Sequence, residues 1–216
     1  MQCKTTLFQD RRDAAMHLKE HLPIERMRAE KWSLVAVSRG GLDLAAHLCE
    51  RYGFALDILF SEAIYAPYNL ECEIARVSET EEIVMHDRLV EAFGIKLDYI
   101  YGEASRKFEE KILGAIYKRR KGRPFETQSD KTVLLIDEGS ESGLRLMTAV
   151  KTVLAQNPRA VYLAVPVIPD DVVETLEPLV DGIFYVYSLE DYMQTENYYC
   201  NFEHVSDERI VTILGG

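Results

Sequence analysis

The sequence predicts an α/β fold: a parallel sheet flanked by helices, with a smaller hood or flap region. Three observations carry this. Apolar runs of strand length at 32–37, 56–60, 132–136, 161–167 and 183–187 alternate with amphipathic helical stretches. Two of these runs break directly into loops of Gly and Ser that lead into helices. Apolar residues make up 47% of the 216, enough for a sizeable core.

Each element follows from a local pattern. Residues 10–22 read as a helix, because Ala14, Ala15, Leu18 and Leu22 recur at helical spacing and Asp10 can cap it. A strand follows at 32–37. Ser38-Arg39-Gly40-Gly41 breaks it, and helical periodicity resumes over 42–52 until Gly53 ends it. The strand at 56–60 completes a strand–helix–strand unit. Residues 61–82 hold Pro67 and Asn69, with weak alternation from Glu71 onward. They read as a loop with a β-ribbon, a flexible flap over a site.

Helices are expected at 87–93 and 103–120, the second with Phe108, Ile112, Ala115 and Ile116 on one face. A strand at 132–136 precedes a helix over 143–155 that points Leu146, Met147, Val150, Val153 and Leu154 inward. Strand 161–167, helix 170–176 and strand 183–187 follow. No repeat or linker divides the chain, so residues 1–216 read as a single domain, with 188–216 a C-terminal tail folding back on it.

Composition excludes some functions. A formal net charge of −11 argues against non-specific nucleic-acid binding, though it permits a local basic pocket. No apolar run approaches membrane-spanning length and no apolar leader opens the chain; a cytoplasmic protein with no membrane partner is expected. Cys3, Cys49, Cys72 and Cys200 show no Cys-x-x-Cys spacing and read as reduced structural thiols. The five histidines form no metal or nucleophile pattern.

The chemistry concentrates where the strand 132–136 ends in Asp137-Glu138 and runs into Gly139-Ser140-Glu141-Ser142-Gly143. Backbone N–H groups in such a loop, backed by a helix N-terminus, form a phosphate cradle. The acids suit a sugar diol or a Mg²⁺ ion. Solvated acids at a strand end are the bland alternative, but ligands bind at that edge in open α/β sheets. At a second strand end, Gly40 and Gly41 let amides approach an anion and Arg39 can grip it. Two anion-friendly loops suggest a ligand with phosphates at both ends.

Here the sequence resembles the type I phosphoribosyltransferases, in which an apolar strand runs into two acids and a loop ending Thr-Gly-x-Thr. This chain has Ile136-Asp137-Glu138-Gly139-Ser140-Glu141-Ser142-Gly143-Leu144-Arg145. The resemblance extends to a branch of small bacterial phosphoribosyltransferase-like proteins. It runs through Phe8-Gln9-Asp10-Arg11-Arg12-Asp13-Ala14, Ser38 to Gly41, Ala66-Pro67-Tyr68-Asn69-Leu70-Glu71, and Ala164-Val165-Pro166-Val167. Near the end it continues through Tyr199-Cys200-Asn201-Phe202 and Val205-Ser206-Asp207-Glu208.

The resemblance implies phosphoribosyl diphosphate as donor, with Mg²⁺ held at Asp137 and Glu138. These acids would also hold the ribose hydroxyls. Gly139, Ser140, Ser142 and Gly143 would wrap the 5′-phosphate, and Arg39, Gly40 and Gly41 would lie at the diphosphate. The 61–82 segment would close over the reacting centre and exclude water. Glu141 stands where purine-type members carry an acid near the base; it either shares a ring-nitrogen proton or is a solvated loop acid. A homodimer is the family's habit.

Several positions depart from the pattern. Ser142 keeps the loop hydroxyl. Arg145 replaces a small hydroxyl residue and either binds the phosphate or fills its pocket; Leu144 is larger than usual. Glu62-Ala63 stands in place of a basic pair, and Tyr65 in place of Gly. A carboxylate there repels a departing diphosphate and argues against catalysis while leaving the fold untouched.

The basic run Lys118 to Lys121 with Arg123 reads as a solvated helix end, with an RNA or phosphate contact as alternative. Tyr185, Tyr187, Tyr192, Tyr198 and Tyr199 read mostly as packing, with one free to stack on a base.

The leading expectation is transfer of ribosyl 5-phosphate from phosphoribosyl diphosphate to a nitrogenous base, purine-like in the family's manner. The alternative is a non-catalytic protein that binds a nucleoside monophosphate or phosphosugar and regulates a partner. A generic nucleotide-binding module is a third reading.

Overall fold

The computed structural model describes residues 6–50 and 52–215. Arg11–His21 (α1) is capped as its sequence predicts, with Asp10 Oδ1 accepting the Asp13 N–H at 2.9 Å. Ile24–Ala29 (α2) is a short helix that periodicity does not reveal. Ser33–Ala36 (β1) then leads into Arg39–Cys49 (α3). The helix starts three residues earlier than its apolar periodicity suggests, because the Ser38 hydroxyl accepts the Gly41 N–H at 2.8 Å. Arg39, Gly40 and Gly41 are thus helical rather than a loop.

Ala55–Ile58 (β2) is followed by Ser61–Ala66 (β3), Asn69–Ser78 (β4) and Ile83–Met85 (β5), an antiparallel three-stranded sheet. The 61–82 segment is therefore ribbon for most of its length, with Ile64, Ile74, Ala75 and Val77 buried. Asp87–Ala92 (α4) precedes one long helix: Leu97–Lys107 (α5), a π-turn at Phe108–Ile112, and Leu113–Arg120 (α6). It begins six residues before the expected start. Thr132–Ile136 (β6), Leu144–Leu154 (α7), Ala160–Pro169 (β7), Asp170–Leu176 (α8) and Gly182–Leu189 (β8) complete the parallel pattern. Asp207–Ile213 (α9), capped by Ser206, was not legible as a helix.

The main sheet has the order β2-β1-β6-β7-β8, all parallel. Alternation along its strands divides two cores. Leu34, Leu134 and Ile136 face α1 and α3, burying Leu18, Leu44 and Leu48. Val35, Val133 and Leu135 face α7 and α8, burying Leu146, Val150, Val153 and Leu176. Leu154, expected inward, is 40% exposed at the last turn of α7. A third cluster joins the ribbon to α5, the π-turn and α9 through Ile64, Ile74, Ile100, Ile112 and Ile210.

The C-terminal segment returns alongside residues 7–9. The Tyr198 carbonyl accepts the Leu7 and Phe8 N–H groups, and the Cys200 and Asn201 N–H groups donate to the Phe8 and Gln9 carbonyls. Cys49, Cys72 and Cys200 are free thiols, and burial pushes the Cys49 thiol up to about 12. Cys3 lies outside the described residues. No helix among the described residues is long and apolar enough to cross a membrane.

Candidate functional site

β1 lies between β2 and β6, so the chain winds outward in both directions from the β1/β6 pair. Ligands bind outside the carboxyl ends of strands at such a switch point. The register pairs Ala36 with Ile136, and the Val37 N–H donates to the Ile136 carbonyl at 3.0 Å. Ser38 and Asp137, just beyond those ends, therefore meet. The Ser38 hydroxyl donates to Asp137 Oδ1 at 2.5 Å while capping α3.

Asp137 is fully buried. Its Oδ1 also accepts the Glu138 N–H at 2.9 Å, and its Oδ2 accepts Arg145 Nη1 at 3.2 Å. Glu138 Oε2 accepts Arg11 Nε at 2.5 Å. Arg11 is itself fixed: Nη1 donates to the Glu203 carbonyl at 2.7 Å, and the guanidinium lies 4.5 Å from the Phe202 ring centroid. Burial pushes the Glu138 carboxyl above the usual carboxylate range, with Arg11 opposing and Asp137 adding to the rise. The Asp137 charge makes the Arg145 guanidinium still harder to deprotonate.

Each acid thus faces a guanidinium. Asp137 has no unengaged oxygen, so Mg²⁺ could reach it only by displacing a partner such as Arg145, and at Glu138 it would meet the Arg11 charge. As arranged, the residues do not fit a directly held Mg²⁺ ion.

Gly40 and Gly41 serve close packing. A Cβ on Gly40 would overlap the Glu138 carboxylate, and one on Gly41 would lie 2.7 Å from the Ile136 carbonyl oxygen. Arg39 turns toward the C-terminal segment, pairing with Asp207 at 3.0 Å and donating to the Val205 carbonyl at 3.3 Å.

The loop after the acids is pressed from above. A Cβ on Gly139 would lie 2.8 Å from the Tyr192 hydroxyl. Ser140 is buried; Ser142 is exposed and accepts the Leu144 N–H at 3.4 Å. Gly143 takes a left-handed φ of 71°, which a side chain would strain. Glu141 accepts the Thr195 N–H at 3.2 Å, so it ties the loop to the hood.

Two lobes open over this constellation. The larger, about 500 Å³, has Arg11, Arg39, Arg76 and Arg145 on its walls, with Glu62, Tyr65, Glu138 and Glu203. The smaller, about 360 Å³, is lined by Gly139, Glu141, Gln194, Thr195 and Glu196. Glu138, Arg145 and Phe202 line both.

The structure adds Ser38, Arg11, Phe202 and Arg76 to the residues singled out. The first three lie within the segments that carry the family resemblance, which was their available signal. Arg76 had none: it lies on β4, pairs with Glu73 at 2.8 Å and reaches the Ser61 hydroxyl at 3.2 Å.

The basic run is a solvated helix end only in part: Lys118, Lys121 and Arg123 are exposed, while Arg119 and Arg120 are not. Lys118 and Arg119 reach Asp207 at 2.6 and 2.8 Å, and buried Arg120 pairs with Glu79, with Asp57 3.5 Å away. Tyr198 and Tyr199 are buried, and the Tyr199 hydroxyl donates to the Glu138 carbonyl at 2.6 Å.

No family model matches the chain. Proteins from two strains of Mycobacterium tuberculosis, provisionally named phosphoribosyl transferases, are 26% identical over 212 residues. That covers 96% of this chain but 46% of theirs, so the chain spans about half the length of the curated relatives it matches. The crystal structure of TT1426 from Thermus thermophilus superposes with a TM-score of 0.76 at 28% identity, covering 96% of this chain and 97% of that one. The purine phosphoribosyltransferase of Pyrococcus horikoshii is more distant, at 15% identity and a TM-score of 0.46. The chain thus joins a parallel sheet with an acid-ended strand at its switch point to a sequence similar, over nearly its whole length, to proteins that carry the phosphoribosyl transferase name.

Proposed function

We propose that the two-lobed cleft binds a phosphorylated ribose, either phosphoribosyl diphosphate or a nucleoside monophosphate, and transfers ribosyl 5-phosphate to a nitrogenous base. The observation that carries this reading is the meeting of Gly139 and Glu141, from the loop after the acid pair, with four arginine side chains at one switch-point cleft. The loop amides take the 5′-phosphate and the arginines balance the diphosphate.

In the reaction the bond from the ribose anomeric carbon to diphosphate breaks and a bond to the base nitrogen forms. The nitrogen's proton passes to an acceptor, and Glu141 in the smaller lobe is the candidate. Catalysis then rests on orientation and on charge stabilisation away from water.

The second reading, a non-catalytic binder, draws on Glu62. Its carboxylate lies on the wall of the larger lobe, where it opposes a leaving anion. Incubation with phosphoribosyl diphosphate and a panel of purine and pyrimidine bases separates the two. Diphosphate release with one base supports transfer. Binding without release for any base supports the second reading.

A further inference from the structure

We infer that this cleft handles its phosphoribosyl ligand without a divalent cation, because Arg145 and Arg11 occupy the acid pair where a metal would bind. The inference rests on the proposed ligand class and concerns how that ligand's charge is met.

Three features support it. Asp137 is fully buried and both its oxygens are engaged, by the Ser38 hydroxyl and Glu138 amide on one side and Arg145 on the other. Glu138 is held by Arg11, and Arg11 is anchored by the Glu203 carbonyl and the Phe202 ring. Arg11 is therefore built in, and Arg145 is tied to a fully buried carboxylate. A hydrated Mg²⁺ held by both acids would have to break the Asp137–Arg145 pair, sit beside the Arg11 charge and shed water, which this ion does reluctantly.

The arginines also offer something a metal would. One Arg145 nitrogen is committed to Asp137, and the side chain lines both lobes of the cleft. A guanidinium has five N–H donors in a planar fork. The remaining donors can meet a phosphate or a ribose hydroxyl while the first holds the acid, so one side chain bridges carboxylate and anion as a bound cation does. Replacement of a small hydroxyl residue by arginine at position 145 is then a change of charge carrier, not a plug.

The test is calorimetric titration of the full chain with phosphoribosyl diphosphate, and separately with a purine nucleoside monophosphate, in EDTA and in excess Mg²⁺. The expected result for the wild type is an affinity that agrees between the two buffers within about twofold. Arg145→Ala is expected to weaken binding in EDTA by roughly tenfold or more, with partial recovery in Mg²⁺ as Asp137 becomes free to hold it. Arg145→Lys, which keeps the charge and is the milder change, is expected to stay largely metal-independent.

Paramagnetic Mn²⁺ gives a readout independent of ligand. The wild type is expected to bind none at the acid pair, and Arg145→Ala to gain a site. Wild-type binding that requires Mg²⁺ would overturn the inference and leave the proposed ligand class standing. No binding of either probe in either buffer would overturn both.

Discussion

Gly40, in the first turn of α3, lies directly against the Glu138 carboxylate at the end of β6, with no room for a Cβ between them. Helix and acid are fitted together at the sheet's switch point. Gly40→Ala is expected to push Glu138 off Arg11 and to destabilise the protein by about 1–3 kcal/mol, the usual cost of overpacking. Urea denaturation measures the loss. Titration with a nucleoside monophosphate should show weaker binding, and unaltered affinity would detach Glu138 from the ligand.

Asp137→Asn combined with Glu138→Gln keeps the shapes and removes both charges. Transfer to any base should be lost while circular dichroism stays native. Turnover at the wild-type rate would remove these acids from the mechanism.

Asp207 gathers Lys118, Arg119 and Arg39. The hydrogen bond from Lys118, then those from Arg119, hold its carboxyl well below the usual carboxylate range. A depressed folded pKa contributes stability above the unfolded value of 3.8 and loses it as the pH falls through the folded one. Asp207→Asn should therefore cost more at pH 7 than at pH 3, by about 1 kcal/mol, as the unfolded carboxyl protonates first. Denaturant midpoints of both proteins at the two pH values check this. An unchanged difference would mean that the three cations do not act through this carboxylate.

Arg120 and Glu79 form a buried pair beside Phe60. Burial already pushes the Glu79 carboxyl up against the pull of Arg120. Arg120→Met strands that carboxylate and should cost about 3–5 kcal/mol near neutral pH. The cost should shrink on acidification, since a neutral Glu79 tolerates burial. Adding Glu79→Gln should recover much of it.

Glu62→Lys places a cation on the wall of the larger lobe. Phosphoribosyl diphosphate should then bind about tenfold more tightly at low salt, with the gain fading as salt screens it. An unchanged affinity would place the diphosphate elsewhere.

The main sheet and its chemistry-bearing strand ends were legible in the local pattern of residues. Thr132–Ile136 could be read to the residue because a fully buried parallel strand is continuously apolar, and the two acids that follow mark where burial gives way. Asp170–Leu176 was legible for its clean boundaries. Short elements such as Ile24–Ala29 and Asp207–Ile213 were not, because about two helical turns or fewer carry too little periodicity.

Which side chains partner which was settled in three dimensions alone. Arg11 and Glu138 are 127 positions apart, and Arg39 meets Asp207 from the far end of the chain. No local pattern encodes such pairings. They follow from β1 and β6 lying side by side in register and from the C-terminal segment returning over both. Those pairings turned an acid pair that the sequence offered to a metal into one already held by arginine.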